Sequence, residues 1–185
     1  TATPSLDADY QMSFWFYHSS ESAFTYFTIV QIWGDWTDRD HVYVDPSGHL
    51  SVGTVRSGTQ VQGSGSTFVS ESWHHCTARY SKLGGTYDLY LDFGNTPEVT
   101  VFVDPDLGVT TDTTAVFVGH LNTLFPFEGR VDCLKIWAGS YSFTLGNNEG
   151  HTRDVHGEIP THWLDPVIGS GDKVVNRGLS GATFT

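Results

Sequence analysis

Apolar residues in this chain recur at every second position or in short continuous runs. No stretch carries them at helical three-and-four spacing over three turns. The pattern predicts strands over residues 11–18, 24–33, 41–44, 50–55, 67–70, 73–80, 86–93, 98–103, 115–119 and 129–137. Turn signals separate them: Asp45-Pro46-Ser47-Gly48, Ser57-Gly58, Gly63-Ser64-Gly65, Gly84-Gly85 and Asp104-Pro105-Asp106. About ten short strands at this spacing point to an all-β, antiparallel two-sheet sandwich.

Residues 139–185 differ. They are rich in Gly, Asn and His, with weaker strand signals at 161–164, 173–176 and 182–185. No linker separates them, so residues 1–185 are read as one domain whose C-terminal segment wraps or completes the sandwich.

With 185 residues the chain can bury a proper core. Nine Lys and Arg stand against 21 Asp and Glu, a formal charge of −12. That balance argues against nucleic acid, whose phosphates need a basic surface. It also disfavours anionic membrane surfaces, and no apolar run approaches the ~18 residues of a membrane-spanning helix. No signal peptide is visible and no Asn-x-Ser/Thr acceptor occurs, since Asn95-Thr96 is followed by Pro97. The opening Thr1 fits a trimmed initiator Met, and equally a cleaved precursor.

Three stretches carry a family resemblance. Met12-Ser13-Phe14-Trp15-Phe16-Tyr17 comes first. Trp73-His74-His75-Cys76-Thr77-Ala78-Arg79-Tyr80 follows, with Leu89-Tyr90-Leu91-Asp92. Phe127-Glu128-Gly129-Arg130-Val131-Asp132-Cys133-Leu134-Lys135-Ile136-Trp137 closes the series. In this order they resemble the laminin-G-like, concanavalin A-like jelly roll, a family that includes the pentraxins. His162-Trp163-Leu164, Gly169-Ser170-Gly171-Asp172 and Asn176-Arg177-Gly178 resemble the segment that normally opens this family, here placed last. Similar tails occur on laminin-G-like proteins of bacteriophage particles.

Alternation along 73–80 puts His74, Cys76, Ala78 and Tyr80 on one face and His75, Thr77 and Arg79 on the other. Adjacent histidines so divided make a poor chelate, and Cys76 reads as an inert core residue. On the closing strand Leu134 and Ile136 take the inward positions, which turns Cys133 outward unless a bulge intervenes. A Cys76–Cys133 disulfide therefore stays open.

The loop Trp33-Gly34-Asp35-Trp36-Thr37-Asp38-Arg39-Asp40 is the most suggestive site. Asp35, Asp38 and Asp40 offer oxygens to a hard cation such as Ca²⁺. Trp33 and Trp36, with Asp35, offer a stacking surface for a sugar. The resemblance agrees in position, because calcium and glycans are often held in this family by loops at the sandwich rim. The competing reading is a solvated acidic turn capped by Arg39, with Trp33 in the core. Asp104, Asp106 and Asp112 form a second acidic loop, read as a turn with local Asp–backbone bonds. His151, His156 and His162 have irregular spacing that does not require a metal.

Enzyme signatures are missing from the sequence. A retaining glycosidase needs two carboxylates about 5–5.5 Å apart, and no strand carries alternating acids. There is no Gly-x-Ser-x-Gly elbow, phosphate loop or His-Glu-x-x-His helix. No catalytic residue is assigned.

The reading carried forward is a non-enzymatic decoration protein of a virus particle, expected on a phage virion and made in the host cytoplasm. Its partners would be other virion subunits, cell-surface glycans, or copies of itself. A free-standing, extracellular carbohydrate-binding module is the alternative, and a glycan-processing enzyme the second alternative.

Overall fold

A computed structural model describes residues 4–19, 26–68, 70–92, 94–119, 127 and 129–138, and the backbone of 162–165 and 175–176. These residues form twelve strands, numbered here in chain order, in two sheets. All pairings are antiparallel. The larger sheet runs β12 (Val175–Asn176), β11 (His162–Asp165), β10 (Gly129–Ala138), β1 (Tyr10–His18), β6 (Trp73–Ser81), β7 (Thr86–Leu91) and β8 (Val99–Phe102). The smaller runs β5 (Thr59–Thr67), β4 (His49–Arg56), β3 (Arg39–Val44), β2 (Phe27–Trp33) and β9 (Ala115–Val118). This is the two-sheet jelly-roll sandwich that the residue pattern and the resemblance implied.

Alternation builds the core. Met12, Phe14 and Phe16 of β1 face Val30 and Ile32 of β2 and Val42 and Val44 of β3, with Cys76, Ala78, Leu134 and Ile136 in the same cluster. Each fully buried large side chain contributes roughly 1.5–3 kcal/mol relative to exposure, so these rows set the register. A one-residue slip would turn them outward.

One expectation changes. The sequence predicts turns at Ser57-Gly58 and Gly63-Ser64-Gly65 and a strand at 67–70, yet Thr59–Thr67 is a continuous edge strand. Ser57-Gly58 is indeed a hairpin turn, with φ of 47° and 79°, the two left-handed residues of a type I′ turn. Gly63-Ser64-Gly65 is not a turn. A Cβ on Gly63 would lie 2.6 Å from Val99 Cγ2, and one on Gly65 would lie 3.2 Å from Glu98 Cβ. The glycines are there because β5 passes close over β8 where the sandwich closes. The face of β6 that carries His75 and Thr77 is buried too, as are Gln11, Ser13 and Lys135.

Leu134 and Ile136 do face the core. Cys133 sits at a bulge, where β1 advances from Ser13 to Trp15 while β10 retreats from Lys135 to Asp132. Its φ of 52° is the left-handed conformation such an inserted residue adopts. Cys76 and Cys133 are both buried thiols, with no disulfide between them. In the C-terminal segment, β11 pairs with β10 and β12 with β11. The signal at 182–185 lies outside the described residues, as do His151 and His156.

Candidate functional site

The acidic loop between β2 and β3 is held shut by its own carboxylates. Asp35 Oδ1 accepts from the Thr37 backbone N–H at 2.7 Å, the Thr37 hydroxyl at 2.6 Å and the Asp38 N–H at 3.1 Å. Its Oδ2 accepts from the Thr111 hydroxyl at 2.5 Å. The bonds from Thr111 and Thr37 lower its pKa to about 2. Asp38 is fully buried. Its Oδ1 accepts from Ser57 N–H at 2.9 Å, and its Oδ2 from Thr110 N–H at 2.9 Å, Thr111 N–H at 3.0 Å and the Thr110 hydroxyl. Burial pushes the Asp38 pKa up, but these bonds outweigh it and the net shift is down. One carboxylate therefore ties three loops together.

Asp40 points the other way, into the sandwich. Its two oxygens accept from Arg56 Nη1 and Nη2 at 2.7 and 2.6 Å, and Oδ2 also accepts from the Tyr10 hydroxyl at 2.5 Å. The three acids expected to share a cation thus have separate occupations. Among the described residues, no group of three or more His, Cys, Asp or Glu comes together as a metal cage.

The remaining sequence candidates resolve in the same way. Trp33 is buried, on the outer side of β2 rather than in the inter-sheet core, and Trp36 is 53% exposed with its ring edge-on to Trp33 at 4.9 Å. Arg39 caps the loop as expected: it donates to the Trp36 carbonyl and lies 5.4 Å over the Trp36 ring. In the second acidic loop, Asp104 accepts from Asp106 N–H, and Asp112 accepts from Leu6 N–H, Ser5 and Thr113 N–H. His74 and His75 point to opposite faces. His74 packs on Phe16 and Phe68 with Nδ1 2.7 Å from Asp92, and His75 lies edge-on to Trp15.

The arrangement that the sequence did not single out lies on the outer face of the five-stranded sheet. There Arg39, His41 and Tyr43 project from alternate positions of β3, while Val42 and Val44 between them enter the core. Together with Tyr26, Thr28 of β2 and Gln60 and Gln62 of β5, they line a cavity of about 220 Å³. That is below the ~300 Å³ of the smallest drug-sized sites and suits a single sugar ring. Tyr26 lies 5.9 Å from Tyr43, tilted by 39°, and Tyr43 lies 5.0 Å from His41 at 37°, so three rings form a row along the cavity.

His41 fits because its neighbour on β4 is glycine: a Cβ on Gly53 would lie 2.6 Å from the imidazole. Burial, then Arg39, lower the His41 pKa to about 4, against a raising effect of Asp40. The ring is neutral at pH 7, so it has one donor and one acceptor nitrogen. Its Nδ1 is buried and has no partner, and neither does Arg39 Nε. Burial lowers the Arg39 pKa, with Asp35 opposing, but a guanidinium remains charged in proteins. Period-two alternation of Arg39, His41 and Tyr43 was a legible signal. The β5 wall was not, because its glycines read as a turn.

A family model described as the concanavalin A-like lectin/glucanases superfamily matches residues 1–144. No curated protein matches the chain. Among solved structures, the CBM40 of the Ruminococcus gnavus IT-sialidase, bound to α2,3-sialyllactose, is similar. Its TM-score is 0.59 at 12% identity, over 74% of this chain and 80% of its own. Domains LG4-5 of the mouse laminin α1 chain give 0.59 at 10% identity over 74% of this chain, which spans 36% of theirs. A candidate carbohydrate-binding protein from Bacteroides ovatus gives 0.65 at 12% identity over 96% of this chain and 51% of its own.

Proposed function

The chain belongs to the concanavalin A-like lectin/glucanases superfamily, and from that premise we propose that it is a glycan-binding module whose sugar site is the cavity on the outer face of the five-stranded sheet. The observation that carries this reading is the row Tyr26, Tyr43 and His41 in a cavity whose lining also brings Arg39, Gln60 and Gln62. A sugar ring has C–H groups on its face and hydroxyls at its edge. The first pack on aromatic rings and the second bond to polar groups of the lining. The similar CBM40 carries sialyllactose, which supports the class of ligand. Trp36, stacked on Arg39 at the rim, extends the platform, so the tryptophan of the sequence-predicted site adjoins the cavity.

A glycan array read with the full chain and with Tyr43→Ala and Trp36→Ala tests this. Binding by the parent chain, lost in Tyr43→Ala and weakened in Trp36→Ala, is expected. A flat array overturns the reading. Calcium at Asp35, Asp38 and Asp40 is not part of it, because those oxygens already hold protein donors; loss of array binding on chelation would reinstate the ion. A role on a virus particle, the setting the sequence resemblance suggested, would turn the same face toward host glycans. Mass spectrometry of purified particles tests that setting, and recovery of the chain only in free form overturns it.

A further inference from the structure

The chain carries a formal charge of −12, yet among the described residues lining the cavity the only charged side chain is Arg39. Asp40, between Arg39 and His41 on β3, turns into the sandwich and is held by Arg56 and Tyr10, and the carboxylates of Asp35 and Asp45 are occupied too. Asp35 is bonded to Thr37, Asp38 and Thr111. Asp45 is bonded to Ser47 N–H, His49, Ser51 and Ser64. The Arg39 guanidinium is fixed on one side by the Trp36 carbonyl, which accepts from Nη1, and by the Trp36 ring, leaving its other terminal nitrogen for a ligand. Around it the lining is neutral and polar. Gln60 donates to the Gln62 amide oxygen at 3.1 Å, so Gln62 keeps its NH₂ for other acceptors. A planar, pre-positioned guanidinium pairs most strongly with a carboxylate, through two parallel N–H···O bonds.

Resting on the reading of this face as a glycan site, we infer that its ligand is an acidic sugar, a sialic or uronic acid, whose carboxylate pairs with Arg39 while its ring packs against Tyr43 and His41. A carboxylate recovers the bonds that Arg39 lacks, whereas a neutral hydroxyl supplies one weaker acceptor. The site supplies a local positive charge in a negative protein, so it selects for acid without attracting polyanions at large.

The test is calorimetric titration of the full chain with probe pairs that differ in their carboxylate. One pair is 3′-sialyllactose and lactose; the other is an oligogalacturonate and its methyl ester. The acidic member of at least one pair is expected to bind on the order of tenfold more tightly, as for a bond to a charged rather than a neutral partner. That preference should shrink in raised salt. Arg39→Gln should abolish it and Arg39→Lys keep part of it, with the melting temperature of each variant read alongside to separate lost binding from lost folding. Which pair responds distinguishes sialic from uronic acid. Equal affinity for acidic and neutral members overturns the inference and leaves the glycan reading standing. An acidic preference that survives Arg39→Gln overturns the assignment to Arg39. No binding of any probe overturns both.

Discussion

Arg56 reaches from β4 into the interior of the sandwich and grips Asp40 of β3 through two parallel bonds of 2.7 and 2.6 Å, with both side chains almost wholly buried. Tyr10 adds a third bond to the same carboxylate, and Tyr80 lies 4.8 Å under the guanidinium. Burial works against the charge of Arg56, but Asp40 outweighs it and the net shift of its pKa is upward. The pair is self-contained, so breaking it is costlier than lacking it. Asp40→Leu leaves a buried, uncompensated guanidinium and is expected to destabilise the fold by about 3–5 kcal/mol. The double variant Asp40→Leu/Arg56→Met is expected to recover most of that loss. Urea unfolding of the parent, the single variant and the double variant checks it, and a double variant as unstable as the single one refutes the argument.

Asp38 and Asp35 make the rim sensitive to acid. Both carboxyls titrate lower in the folded chain than in the unfolded one, Asp35 at about 2, against about 3.9 unfolded. Their contribution is therefore complete above pH ~4 and is lost as pH falls through the folded values. Asp38→Asn is expected to be less stable at pH 7 and to show a shallower loss as pH falls below about 4. Thermal melts across that range measure it; parallel curves for the parent and the variant would show that Asp38 does not govern the acid limb.

How much of this was legible follows from local and non-local causes. The rows Met12, Phe14, Phe16 and Cys76, Ala78, Tyr80 were readable because alternation is a local property. The local Asp–backbone bond at Asp104 was readable for the same reason. The destinations of Asp38 and Asp40 were not. Asp38 is set by Thr110 and Thr111, more than seventy residues away, and Asp40 by a strand reversal that brings Arg56 beside it. Density of acids in sequence suggested a cation, while the fold supplies each acid with its own donors. The cavity was half legible, since β3 shows its alternation openly but β5 is disguised by glycines required by β8.

His41 gives the opposite sign of pH dependence from an ordinary surface histidine. Burial and Arg39 hold its folded pKa at about 4, against about 6.5 unfolded. The unfolded chain therefore takes up a proton first, and the folded state loses stability as pH falls from about 6.5 to 4. The His41 ring resonance is expected to titrate near pH 4, and His41→Gln to flatten the stability profile in that window. A ring titrating near pH 6.5 would remove the buried-imidazole account.

Gly63 probes the closing edge. Its side-chain position points at Val99 Cγ2, 2.6 Å from a built Cβ, and Val101 Cγ2, 3.0 Å away. Gly63→Val overpacks the contact between β5 and β8 and should cost roughly 1–3 kcal/mol. Gly58→Ala, in open space at the hairpin tip but at φ 79°, separates backbone strain from overpacking. Its cost should be smaller and should appear without disturbance at Val99. Methyl NMR of Val99 and Val101 in both variants distinguishes the two, and shifts at Val99 in Gly58→Ala would contradict the assignment.

Gly53 gives the sharpest test of the cavity because it touches no ligand directly. A Cβ at this position meets the His41 ring at 2.6 Å on Cε1 and Nε2, so Gly53→Ala must push the imidazole off β4. The displaced ring moves toward the space between Arg39, Tyr43 and Gln62 that a sugar would occupy. Glycan affinity is expected to fall by on the order of tenfold or more, with a stability change within the ~1–3 kcal/mol of ordinary overpacking. Gly53→Ala/His41→Ala should lose the clash and regain the space, though not the bonds of the imidazole, and so bind between the single variant and the parent. Unchanged affinity in Gly53→Ala, with the His41 resonances shifted, would place the sugar somewhere other than this face.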